Sequence, residues 1–185
     1  MRAILVFLLV LTLGACNLPA LATVSPPPTS TLVQPSLTLT PTEVLCGFVE
    51  GRQQLKDLSD QLLERLKNAG LPVKNSRAEA YGENCLASDG SLVRFSARET
   101  DYYLTLAVRS IDDEASLGNL LEKSIRVIGE FPVGSTPGPQ PGYIGVTFEA
   151  GNSTRNTWFL RSKAEGLLLK GVSGAELYRS LSTNP

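Results

Sequence analysis

Residues 91–109 read Ser91-Leu-Val-Arg-Phe-Ser-Ala-Arg-Glu-Thr-Asp-Tyr-Tyr-Leu-Thr-Leu-Ala-Val-Arg109. Val93, Phe95 and Ala97 alternate with Arg94, Ser96 and Arg98; Leu104, Leu106 and Val108 alternate with Tyr103, Thr105 and Arg109. A period of two is the pattern of a half-buried strand, because successive side chains point to opposite faces. The apolar set changes phase at Glu99-Thr100-Asp101, and three polar residues at a phase break read as the turn of a hairpin. Strands joined by a hairpin pair antiparallel, and one polar face on each predicts a sheet wet on one side.

The same reading extends in both directions. Asp89-Gly90 punctuates the chain before the first strand, and Arg77–Tyr81 is a weaker strand pattern. Before that, Leu45, Phe48, Leu55, Leu58, Leu62 and Leu66 recur with charges between them, which predicts a helix over 44–69, stopped by Asn68-Ala69-Gly70 and Pro72. Downstream, Leu117, Leu120, Leu121, Ser124, Val127 and Ile128 predict a helix over 113–129. Asp112, Asp113 and Glu114 crowd its start, where a helix dipole favours negative charge; that role suits them better than metal ligation. Strands follow at 143–149 and 155–161, with a turn at Gly151-Asn152 between them and Trp158 read as core. A last helix begins at Ser173-Gly-Ala-Glu176, a capping-box pattern. The predicted fold is α+β, in the order α-β-β-β-α-β-β-α, with an antiparallel sheet of about five strands and the helices on one face.

The chain has 185 residues, 17 basic and 18 acidic, and no histidine. Arg2 is the only charge before Glu43, so the rest of the charge falls in 43–185, a length that suits one domain. The absence of histidine excludes a Ser-His-Asp triad, a Cys-His dyad, an HExxH zinc site and a histidine pH switch. The near-neutral balance argues against nucleic acid as a partner.

At the N-terminus Arg2 precedes an apolar run, Ala3–Leu13, too short to span a bilayer but suited to a secretory signal. It ends in Leu13-Gly14-Ala15-Cys16. This stretch resembles the lipobox of bacterial lipoproteins: aliphatic, small, small, cysteine. The resemblance covers the first 16 residues. It implies a diacylglycerol on the Cys16 thiol, cleavage after Ala15, and membrane lipid as a partner. The expected organisation is a signal peptide over 1–15, a tether over 16–43 and one globular domain over 44–185. Residues 17–43 hold six prolines and nine serines or threonines, too little apolar surface to offset ordering entropy. Kept extended by proline, such a segment reaches up to ~80 Å.

Cys46 and Cys85 then remain. In an oxidising exported compartment they read as a disulfide; two buried free thiols or a redox pair are the alternatives, although a redox pair usually shows Cys-x-x-Cys.

No motif specifies catalysis. None of the six lysines stands three residues after a serine, so Ser-x-x-Lys is absent. The segment Phe131-Pro-Val-Gly-Ser-Thr-Pro-Gly-Pro-Gln-Pro-Gly142 is glycine-rich, but its prolines remove the N–H donors a phosphate loop needs. No catalytic residue, metal ligand or cofactor is assigned. Two binding surfaces are candidates. Arg94, Arg98, Tyr103 and Arg109 would line the open sheet face, where the plainer reading is a solvated face with ion pairs to acids such as Glu79. The loop carrying Pro137, Gly138 and Pro139 would meet a partner, or simply cross from helix to strand. The sequence thus points to an exported, membrane-anchored lipoprotein, its domain on the extracytoplasmic side, acting as a non-enzymatic binding or accessory module for an envelope protein or polymer. Two further readings are a cell-wall glycan hydrolase using paired carboxylates and a solute-capturing lipoprotein. Facing acids in a cleft would favour the first of these, and an enclosed apolar cavity the second.

Overall fold

The computed structural model describes residues 45–183; the signal, Cys16 and the tether lie outside the described residues. The elements in chain order are β1 (Gly47–Gln54), α1 (Lys56–Asn68), β2 (Val73–Leu86), β3 (Leu92–Ala107), α2 (Glu114–Gly129), β4 (Tyr143–Ala150), β5 (Ser153–Leu160), α3 (Arg161–Leu169) and α4 (Gly174–Ser182). The fold is α+β.

The phase break at Glu99-Thr100-Asp101 is not a turn. All three residues are buried in the middle of β3, a single strand of 16 residues. Tyr81 of β2 lies opposite Glu99 while Gly82 lies opposite Ala97, so Arg98 is an extra residue in the ladder. A β-bulge of this kind moves the alternation to the other parity without ending the strand. Gly82 is where the partner strand accommodates it: a Cβ there would strike the Ser96 carbonyl.

The sheet order is β1-β2-β3-β4-β5. It is mixed, which corrects the expectation of a purely antiparallel sheet: β3 pairs with β4 in parallel, and the other three pairs are antiparallel. The reason is the connection. A tight turn forces antiparallel pairing, whereas α2 and the proline-rich segment carry the chain back along the sheet so that β4 runs in the same direction as β3, beside its second half from Tyr102 to Ala107.

The predicted first helix is also shorter than expected. Residues 47–54 form the edge strand β1, and the helix begins only at Lys56. Gly47 and Gly51 weaken any helix there, and no apolar residue falls between Val49 and Leu55 to continue a helical stripe. From Leu55 the predicted pattern holds, and Leu62 and Leu66 are fully buried. Ser59 fixes this helix to β2: its hydroxyl donates to the Leu55 carbonyl at 2.7 Å and accepts from the Ala78 N–H at 2.8 Å.

One core joins one face of the sheet to the helices. It contains Tyr102, Leu104 and Leu106 of β3, Ile144, Val146 and Phe148 of β4, and Phe159 of β5. Against them stand Leu62 and Leu66 of α1, Leu117, Leu121, Ile125 and Ile128 of α2, Ala164 of α3, and Leu177 and Leu181 of α4. Fully burying one such large side chain contributes about 2–3 kcal/mol. The first turn of α2 is capped as its acids predict: Asp113 accepts the Ser116 N–H at 3.1 Å. Asp112 and Glu114 pair with Arg155 and Arg179.

Two details at the C-terminal end depart from the sequence reading. Residues 161–169 form a separate helix, α3, where the pattern gave no clear stripe and Leu169 is 90% exposed. Ser173 precedes α4 but its side chain makes no capping hydrogen bond. The position of α4 is set by contact instead: a Cβ on Gly118 of α2 would collide with the Gly174 carbonyl, so the two backbones touch.

The two cysteines are joined as a disulfide, Cα to Cα 5.0 Å, with Cys46 one residue before β1 and Cys85 near the end of β2. Exposed apolar side chains gather at this end of the sheet: Phe48 and Val49 on β1, and Leu92 and Val93 on β3.

Candidate functional site

The face of the sheet away from the helices carries polar and aromatic side chains, as alternation requires. Its features come from β1, β2, β3, β4 and β5 together. Arg77 lies over the Tyr103 ring, guanidinium carbon to centroid 4.2 Å. Tyr103, Trp158 and Tyr143 stack in succession, with centroids 5.3 and 5.4 Å apart. Trp158 is therefore not a core residue: it stands on the open face, 40% exposed, while its neighbour Phe159 fills the core. Gly145 between Tyr103 and Trp158 leaves room for that stack, since a Cβ there would press on both rings.

Beside the stack a groove of about 900 Å³ opens to solvent. Its lining includes Arg52 from β1, Tyr81 from β2, Arg98, Glu99 and Asp101 from β3, Gln140 from the loop, Tyr143 from β4 and Trp158 from β5. The bulge explains why Arg98 and Glu99 both reach it. Arg98 is held by Glu83 at 2.7 Å and lies 5.7 Å from the Tyr81 ring centroid. Arg52 lies 5.4 Å from the same ring, donates to the Tyr103 hydroxyl at 2.7 Å, and approaches Glu79 at 3.5 Å. Arg77 pairs with Glu79 at 3.0 Å.

The two acids at the floor differ. Asp101, 2% exposed, accepts the Tyr143 N–H at 2.9 Å and the Tyr103 hydroxyl at 3.4 Å. Burial pushes its carboxyl above the usual range, and the Tyr143 N–H and Arg52 oppose that rise. Glu99, 9% exposed, accepts no hydrogen bond and forms no ion pair among the described residues. Its carboxyl is also raised, first by burial and then by the charge of Asp101, with Arg98 opposing. Among the described residues no group of three or more acids or cysteines is arranged to hold a metal ion.

The predicted surface residues are thus only partly brought together. Arg98 and Tyr103 belong to the groove and its wall. Arg94 lies opposite Cys85 in the distal part of β3, and Arg109 lies beyond the end of that strand. Glu79 pairs not with these arginines but with Arg52 of β1 and with Arg77 of its own strand, and Arg98 takes Glu83 of β2 as its cross-strand acid. The proline-rich segment docks on β3 as the crossover between α2 and β4. The Thr100 hydroxyl donates to the Pro137 carbonyl at 2.7 Å, and the Gln140 N–H to the Arg98 carbonyl at 3.1 Å. Gly138 has φ +88°, and a Cβ there would strike the backbone of Arg98 and Glu99, so Pro137 and Pro139 bracket a close approach.

Sequence reasoning missed Arg52, Tyr81, Glu99, Asp101, Tyr143 and Trp158. Arg52 was hidden by the helix expected there, and the two acids by the expected turn. The signal available for the acids was their spacing: residues two apart in a strand share a face. Comparison with protein-family models, curated proteins and solved structures gave no match. Among the described residues, no helix is long and apolar enough to cross a membrane.

Proposed function

We propose that this chain is an exported lipoprotein, anchored through Cys16, whose domain is a non-enzymatic module that binds a ligand on the open face of its sheet. The first half of this reading rests on the short apolar run and Leu13-Gly14-Ala15-Cys16, followed by a proline-rich spacer. The second half is carried by one observation: Glu99 lines the floor of an open groove, its carboxylate reaching solvent there with no hydrogen-bond or ion-pair partner among the described residues. A carboxylate that faces an open groove beside an aromatic wall is free to take a ligand's donor. Two acyl chains give stable anchoring, where one is marginal. Membrane fractionation of cells expressing Cys16→Ser tests the anchor: the variant should be unprocessed or released, and unchanged processing with retention would refute it.

A hydrolase acting on envelope glycan is the second reading, favoured by the neighbouring carboxylates Glu99 and Asp101 with raised proton affinity. Glycan-hydrolysis assays on the intact chain and on Glu99→Gln separate the two. Turnover lost in the variant would favour the enzyme, and no turnover in either the module.

A further inference from the structure

The module reading leaves the ligand's chemistry open, and the groove narrows it. The basic groups of the groove are occupied: Arg98 by Glu83, and Arg52 by Tyr103 and Glu79. Asp101 is held by the Tyr143 N–H. Glu99 is left, with a second carboxylate two residues away on the same face. Two acids in a shared, partly desolvated site repel; a cation offsets that charge and hydrogen-bonds as well, whereas a neutral hydroxyl supplies only the hydrogen bond. A divalent metal is poorly served, because hard cations want six or more oxygens and one oxygen of Asp101 already accepts a backbone N–H. An organic ammonium needs only one carboxylate and an apolar wall, and Trp158, 40% exposed, supplies such a wall with Tyr143 beside it.

Resting on the module reading, we infer that the groove binds a ligand carrying an ammonium group next to an apolar ring or chain, the ammonium pairing with Glu99 and the apolar part lying on Trp158 and Tyr143.

Trp158 is the chain's single tryptophan, so intrinsic fluorescence reports this wall alone. The full-length chain is titrated with benzylamine, benzyl alcohol and methyl glucoside. The expected result is a saturable change with benzylamine at about tenfold lower concentration than with benzyl alcohol. Glu99→Gln should bring the two within about twofold while leaving benzyl alcohol unchanged, and Asp89→Asn, an acid on the β2–β3 connection, should keep the preference. Thermal melts confirm that each variant is folded. Equal response to benzylamine and benzyl alcohol, or a stronger one to methyl glucoside, overturns the ammonium assignment while leaving a binding groove. A preference retained in Glu99→Gln overturns it too. No response to any of the three removes the groove itself as a binding surface.

Discussion

Glu99 and Asp101 share one face of β3, yet the Asp101 carboxylate accepts the Tyr143 N–H at 2.9 Å while the Glu99 carboxylate accepts nothing among the described residues. Burial raises the proton affinity of both, so between the ordinary carboxylate pKa and the raised one the folded chain holds protons that the unfolded chain has released. Stability contributed by these acids is therefore greatest below that window and falls as pH rises through it. Asp101, Arg98, Tyr81, Arg52, Glu50 and Tyr143 share the groove with Glu99 and modulate the effect. Glu99→Gln should stabilise the protein at neutral pH by on the order of 1 kcal/mol or less, and the gain should vanish toward pH ~3. Urea unfolding at several pH values measures it; a loss at neutral pH, or a gain independent of pH, would show that the carboxylate is not strained there.

The disulfide closes a loop with a sequence separation of 39. Chain-entropy arguments assign such a loop about 4 kcal/mol. Cys46→Ser, or reduction, should lower the unfolding free energy by about 2–4 kcal/mol and shift mobility on a non-reducing gel. Identical denaturation curves with and without reductant would contradict the bridge as a stabilising element.

Gly118→Ala places a methyl group into the Gly174 carbonyl. Backbone cannot give way as a flexible side chain does, so a loss of about 1–3 kcal/mol is expected, with α4 displaced. Gly129→Ala, at the end of the same helix with nothing within 4 Å, should instead be neutral or stabilising by up to about 1 kcal/mol. Similar melting shifts for the two variants would disprove the contact argument.

Gly138→Ala should lift the proline-rich segment from β3. Both the +88° backbone angle and the Arg98–Glu99 backbone oppose a side chain there. The expected sign is faster hydrogen exchange at Gln140, whose N–H bonds to the Arg98 carbonyl at 3.1 Å, with a loss of about 1–3 kcal/mol. Exchange as slow as in the parent would mean that the segment is held by something other than this approach.

Local patterns carried most of the fold. The stripe of Leu58, Leu62 and Leu66, the acidic start of α2 and the strands at 143–150 and 153–160 were all legible, because each depends on neighbours close in sequence. What escaped was set by partners far along the chain. Phase reversal at Glu99-Thr100-Asp101 has two physical causes, a turn and a bulge, and only Gly82, 17 residues earlier, decides between them. The groove was hidden for the same reason: the two acids of a polar triplet that suits a turn lay instead on the floor of a cleft. Arg98 and Tyr103 were legible as open-face residues, but Trp158 was not, since strand alternation alone does not tell which of Trp158 and Phe159 faces the core.

The disulfide has a mechanical meaning as well. Any load arriving through the chain before Gly47 acts on β1, an edge strand, and would peel it from β2 one hydrogen bond at a time, starting where Gly47 faces Leu86. Cys46 lies at that starting point, and its bond to Cys85 passes the load to β2, which is held by hydrogen bonds on both sides, to β1 and to β3. The bridge thus ties the N-terminal end of the domain to an interior strand of its sheet.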